Sequence, residues 1–319
     1  MDPVIPLAEL QAIYSVAEVD RALEDGAARR NEGLKSWYDR MRELGGSRYI
    51  IKPSTVAAVD NLYATSPNFA DVIDDLRKSL ALAVAGNEAV QFTPMLLLGE
   101  PGLGKTYFAK RLAQALATGF EFVSMSSLTA GWVLTGASAQ WHNARPGKVA
   151  QTLIEGEYAN PVVVLDEVDK AGGDARYDPM GALYMLLERD TALHFKDEFI
   201  DVDMDASHIL WVATANDDSA IPEPILNRMN VYEIDRPDSD GSRMIALAVY
   251  REILDAHRWP FPPEPSEAVL DRLSAAAPRD MRKLLLDAFG TAKLAGRDHL
   301  VPEDLDGRKL CGRKARMGF

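Results

Sequence analysis

The sequence holds a single cysteine, Cys311. A lone cysteine closes no internal disulfide, and with five scattered histidines it makes no Cys/His cluster spaced for zinc. Long apolar runs are missing as well: none approaches the roughly 20 residues that span a bilayer. The opening MDPVIPLAEL lacks the basic region and apolar core of a secretory signal. Positive charge is scarce, with 35 Lys and Arg against 48 Asp and Glu and a net charge of −13. That balance argues against a surface that coats nucleic acid broadly. There are no internal repeats and no low-complexity tract. These absences predict a soluble cytoplasmic protein with no membrane partner.

What is present is organised around Gly99-Glu100-Pro101-Gly102-Leu103-Gly104-Lys105-Thr106, the G-x-x-x-x-G-K-T spacing of a phosphate loop. Met95-Leu96-Leu97-Leu98 before it is short and apolar, as a buried strand should be. After it, Phe108, Leu112, Ala115 and Leu116 fall on one helical face. Strand, glycine loop and helix form the context the motif requires. The glycines let backbone N–H groups approach phosphate oxygens, and the helix N-terminus adds partial positive charge. The motif predicts that Lys105 reaches the β- and γ-phosphates of ATP and that Thr106 holds Mg²⁺.

Residues 1–68 read as a helical extension, because Leu7, Leu10, Ile13, Tyr14 and Val16 recur at near-helical spacing. Trp37, Tyr38, Met41 and Leu44 make a second apolar face, broken by Gly45-Gly46. The extension either packs on the main domain or docks a partner. Ser54 is placed to cap a helix over 55–63, and an amphipathic helix is expected over 71–85. From Met95 the pattern alternates, with strands expected at 95–98, 120–124, 161–165, 209–213 and 231–234 and helices between them, one opened by Pro179. Such alternation predicts an α/β domain over 69–237, built on a parallel sheet with covered faces. Residues 235–241 read as a polar linker. Helices at 244–257, 267–275 and 280–294, with a short one from Pro302, predict a small helical domain over 238–306. The basic tail 307–319 carries Arg308, Lys309, Arg313, Lys314 and Arg316, and either is solvated or contacts a partner or nucleic acid.

Asp166 and Glu167 close the third strand of the alternating region. In open α/β sheets ligands lie beyond the carboxyl ends of the strands, so both acids are expected beside the phosphate loop. Asp166 is suited to bind Mg²⁺ through water, and Glu167 to orient or activate the attacking water.

With these residues in place, the sequence resembles AAA+ ATPases, and among them the ATPase module of Lon proteases. PVVVLDEVDKAGGDARYDPMGALYMLLE is similar to that module's Walker B strand and following helix. KDEFIDVDMDASHILWVATAND is similar to the run into its sensor 1, and IPEPILNRMNVYEI to its arginine-finger segment. The resemblance covers roughly residues 70–300. It implies a P-loop NTPase sheet with a C-terminal all-helical lid. Asn216 is implied as sensor 1, Arg228 as an arginine finger acting on the neighbouring subunit, and Arg279 as sensor 2, with Arg282 the alternative. A finger that acts in trans implies a homo-oligomeric ring, most often a hexamer.

Residues 134–149 occupy the place of the first pore loop, with Trp141-His142 where the family carries an aromatic–apolar pair that grips substrate. His142 departs from the apolar partner. The other reading of Trp141 is a side chain buried in its own subunit. Residues 172–177 stand as a second pore loop, with Arg176 and Tyr177 as candidate contacts. Lon's serine–lysine protease domain has no room after the lid, so the expectation is no intrinsic peptidase, with any cleavage left to a separate effector partner. The expected function is therefore a Mg²⁺-dependent AAA+ ATPase ring that remodels or threads a macromolecule, most simply protein. Two rivals stand beside it: a nucleic-acid motor or loader, and an ATP-controlled scaffold that recruits a partner.

Overall fold

In the computed structural model, which describes residues 7–25, 31–127, 131–141, 143–171 and 180–306, the first apolar stretch is a strand rather than the expected helix. Leu7–Ala12 (β1) pairs antiparallel with Ser47–Lys52 (β2), placing Leu10 opposite Tyr49. The N–H groups of Ile13 and Tyr14 then donate to Gly46 O at 2.7 and 3.2 Å. A pairing partner far along the chain overrides the local helical spacing. Between the strands lie Val16–Glu24 (α1) and Glu32–Leu44 (α2), with Leu34, Tyr38 and Met41 buried on α2. The helix expected over 55–63 divides into a 3-10 turn at Val56–Val59, capped by Thr55 rather than Ser54, and Asn61–Thr65 (α3). Ala70–Gly86 (α4) follows as expected.

Strands continue at Met95–Leu98 (β3), Phe120–Ser124 (β4), Val162–Asp166 (β5), Phe195–Lys196 (β6), Asp203–Met204 (β7), Leu210–Ala215 (β8) and Asn230–Glu233 (β9). Five of them form a parallel sheet in the order β4-β5-β8-β3-β9. β6 and β7 make a separate antiparallel pair, too short to leave a periodic signal in the sequence. β5 and β8 are buried along nearly their whole length, as VVVLD and LWVATA must be when both sheet faces are covered. The intervening helices are Lys105–Ala115 (α5), Trp132–Thr135 (α6), Lys148–Glu155 (α7), Leu183–Leu186 (α8), Arg189–Ala192 (α9) and Glu223–Leu226 (α10). α8 is a single turn; Pro179, expected to open it, lies outside the described residues. The register sets Leu98 beside Ala215 and Leu165 beside Ala213, so β3, β5 and β8 end at one edge.

The N-terminal elements are joined to this sheet by backbone and side-chain bonds. Asn160 is fully buried and imitates a strand: Oδ1 accepts from Ile51 N at 3.0 Å and Nδ2 donates to Ile51 O at 2.9 Å. Tyr49 N donates to Glu157 O, and Ala159 N to Tyr49 O. Tyr38 Oη donates to Ile200 O at 2.7 Å. One apolar cluster accordingly includes Ile13 and Tyr38 from these elements with Leu165, Phe195 and Trp211.

A second compact unit takes in residues 62–70 and 100–104 with 235–306. Its helices are Ser239–His257 (α11), Glu267–Ser274 (α12) and Pro278–Leu294 (α13), followed by a 3-10 turn at Pro302–Asp306. The rings of Tyr250 and Phe261 pack 5.4 and 4.7 Å from that of Phe289 at its core. The stretch expected as a linker over 235–241 already enters α11. Asp238 caps the helix by accepting from Gly241 N at 2.7 Å, so the polar run is capping chemistry rather than a spacer. The basic tail 307–319 lies outside the described residues. Among the described residues no helix is long and apolar enough to cross a membrane.

Candidate nucleotide site

β3 ends at Leu98, the chain turns through Gly99, Glu100, Pro101, Gly102, Leu103 and Gly104, and α5 begins at Lys105. Gly102 and Gly104 hold φ of +91° and +92°, where a side chain is disfavoured. Lys105 is buried, and its ammonium donates to Gly99 O and to Oδ1 of Asn216, the latter at 3.2 Å. Burial holds the Lys105 pKa below its usual value, while the carboxylates of Asp169, Asp166 and Glu167 pull it back up.

The acids lie at the same edge of the sheet. Asp166 Oδ1 accepts from Thr106 Oγ1 and from Thr214 Oγ1, each at 2.8 Å. The buried Thr214 hydroxyl also accepts from Glu167 N at 3.0 Å. Glu167 sits in the left-handed region, φ +57°, which turns the chain sharply off the strand end. Its carboxylate pairs with Lys170, which together with the Ser126 hydroxyl holds its pKa below the ordinary carboxylate range. Asp169 accepts from Asn216 N at 3.2 Å through Oδ2, while its buried Oδ1 has no hydrogen-bond partner among the described residues. Sequence reasoning missed both Thr214 and Asp169. A threonine inside the apolar LWVATA was the available signal for the first.

The donor set fits ATP and Mg²⁺. A buried ammonium beside a glycine loop suits phosphate oxygens, and a hydroxyl against a carboxylate suits a hard cation. No group of three or more His, Cys, Asp or Glu placed to hold a metal occurs among the described residues. A cation at Thr106 and Asp166 would thus take its remaining ligands from phosphate and water, as Mg²⁺ does.

Three loop residues are fixed from within the helical unit. Arg236 bonds the Glu100 carboxylate through Nε and Nη2 at 2.9 and 2.6 Å. Leu103 O accepts from Asn68 Nδ2 at 3.4 Å. Arg279 lies against Gly102, where an added Cβ would come 2.7 Å from its Cδ. Arg282, the alternative to Arg279, is instead paired with Glu252 at 2.9 Å.

Trp141 is 51% exposed rather than buried in its own subunit, and packs edge to face on Trp132 with centroids 5.5 Å apart. Its partner His142 lies outside the described residues, as do residues 172–177. The Trp141 loop is tied at its base by Asp197, which sequence reasoning also missed. The Asp197 carboxylate is fully buried and accepts from Gly147, Phe199 and Ile200 N–H groups at 2.7, 2.9 and 3.1 Å. Asn31, at the start of α2, donates to Ala139 O of the same loop at 2.9 Å.

Residues 95–235 match the family described as ATPase family associated with various cellular activities (AAA). They form an AAA-family ATPase domain. Over the ATPase region the chain is similar to the Lon protease of Frankia alni, with 32% identity across 244 residues, 73% of this chain and 28% of the relative. It spans under a third of the length of several such relatives, 28%, 31% and 31%. The fold of the AAA domain is shared with solved structures of low identity. The Hsp104–casein complex of S. cerevisiae gives a TM-score of 0.62 at 17% identity, covering 83% of this chain and 53% of that one. The Holliday junction branch migration motor RuvB of Thermotoga maritima gives 0.51 at 18%, covering 74% and 66%.

Proposed function

We propose that the protein is a Mg²⁺-dependent ATP hydrolase that assembles as a homo-oligomeric ring, most simply a hexamer, and threads or remodels protein substrates. The observation that carries the ring is the separation of Arg228 from Lys105. Asn230 pairs with Met95 at the amino ends of β9 and β3, so Arg228, two residues earlier, lies at the opposite sheet edge from Gly99 and Lys105. That position supports a role for the arginine at the site of a neighbouring copy rather than at its own.

Bound ATP·Mg²⁺ supplies the phosphoryl group to be transferred. Lys105 binds phosphate oxygens, and Thr106 with Asp166 holds the cation. Glu167, ionised at neutral pH, orients water and accepts its proton. Asn216 contributes an amide beside Lys105 that can hydrogen-bond the γ-phosphate or the attacking water, and Arg228 of a neighbouring copy offsets developing charge. The half-exposed Trp141 supplies a rigid apolar surface for a translocating chain.

The test is a trap. Lys105→Ala should lose nucleotide binding, whereas Glu167→Gln should bind ATP with turnover reduced by about 10²–10⁴. Turnover in Glu167→Gln equal to wild type overturns the assignment. Tagged Glu167→Gln purified with ATP and Mg²⁺ should retain protein, and lose it when Trp141 is also changed. Retained nucleic acid would move the reading to a motor, and a bare ring to a scaffold.

A further inference from the structure

Arg228 is held by three groups of the sheet unit, two of them on elements to which no role has been given. Its Nη1 donates to Pro224 O at 2.6 Å, one turn back in α10. Its Nε lies 3.0 Å from Oε1 of Glu188, between α8 and α9. Its guanidinium carbon sits 5.7 Å from the ring centroid of Tyr184 on α8, close enough for attraction to the ring face. The Nε–Glu188 contact is a charge contact rather than an aligned hydrogen bond, since the buried Nε lacks a partner of good geometry among the described residues. Nη2 makes no hydrogen bond among the described residues.

We propose that Glu188 and Tyr184 are positioning residues, which present Nη2 of Arg228 to the nucleotide of a neighbouring copy. The inference rests on the finger role proposed for Arg228. An unrestrained arginine must give up rotamer freedom when it engages a phosphate. Arg228 is already restrained on two nitrogens and one face, while the third nitrogen makes no hydrogen bond among the described residues. Glu188 therefore sets direction through a charge contact at Nε, without taking a hydrogen bond from Nη2. It touches neither substrate nor reacting atoms, so its loss acts through Arg228 on the site of another subunit.

The experiment measures steady-state ATP hydrolysis by the full chain. Glu188→Ala should lower kcat by about tenfold while KM for ATP stays within about twofold, since misplacing a charge-stabilising group costs turnover rather than ground-state binding. Glu188→Gln, which keeps shape and oxygen but loses charge, should fall between Ala and wild type, and it serves as the readout if Glu188→Ala melts early by circular dichroism. The decisive arm mixes subunits. Rings combining Glu188→Ala with Glu167→Gln pair an intact hydrolytic site with an intact finger, and should turn over faster than either variant alone. Wild-type kcat in Glu188→Ala, or no recovery on mixing, overturns the inference. Arg228→Ala separates the two claims. If it hydrolyses ATP like wild type, the finger reading itself falls; if it is impaired while Glu188→Ala is not, only the positioning role falls.

Discussion

Thr106 and Thr214 donate to the same oxygen, Oδ1 of Asp166, each at 2.8 Å. One threonine comes from the phosphate loop and the other from the neighbouring strand β8. Thr214 also receives the N–H of Glu167 at 3.0 Å. A single hydroxyl therefore orients the carboxylate assigned to the cation and the backbone of the residue assigned to water. Thr214→Val keeps shape and burial but removes both bonds. Turnover should fall about tenfold, with nucleotide affinity changed by less than about threefold. Steady-state hydrolysis and a fluorescent-nucleotide titration check this. An unchanged kcat would show that Asp166 and Glu167 hold their places without Thr214.

Trp141 is half exposed on a loop. Trp141→Ala should keep ATP hydrolysis within about twofold and change stability by less than about 1 kcal/mol, as a surface substitution does. Substrate remodelling, followed with a fluorescent protein client, should be lost. Survival of remodelling in the variant would remove Trp141 from the substrate path.

Asp197 makes stability depend on pH. Burial pushes its pKa up from 3.8 to about 6, against the three N–H groups that favour the carboxylate. Because the folded value lies above the unfolded one, the folded chain binds more protons between these limits. The resulting stabilisation is complete below about pH 4 and is lost as pH rises through about 6. Integrated over that window it amounts to roughly 3 kcal/mol. The stability of wild type relative to Asp197→Asn should therefore fall between pH 4 and 7, as measured by urea denaturation. A flat difference would mean that Asp197 is ionised throughout.

Asn160→Ala removes two hydrogen bonds and strands the buried N–H and C=O of Ile51. A loss of about 2–4 kcal/mol is expected in chemical denaturation, with hydrolysis at permissive temperature unchanged. A loss below about 1 kcal/mol would show that the N-terminal strands dock through their apolar contacts alone.

The phosphate loop and the acids at the end of β5 were legible because each sits in a contiguous motif at the end of an apolar run, whereas Asn216 at the end of β8 was marked only by the family resemblance. Leu7 and Leu10 misled because their spacing is near-helical, while the fact that decides their structure, pairing with Lys52 and Tyr49, lies across the chain. Thr214, Asp169, Glu188 and Asp197 escaped for the same reason. Each acts on a residue far away in sequence, and nothing local distinguishes it from an ordinary polar side chain. Asp238 was visible but misjudged, since capping residues and linker residues share a composition.

The contact between Gly102 and Arg279 makes these two positions one locus in genetic terms. Any side chain at 102 would meet the Arg279 stem before it met anything else, besides straining a backbone at φ +91°. A Gly102 substitution is thus also a displacement of Arg279, and the two phenotypes should not add. A suppressor screen begun at position 102 has its natural second site 177 residues away, at a shorter side chain in place of Arg279.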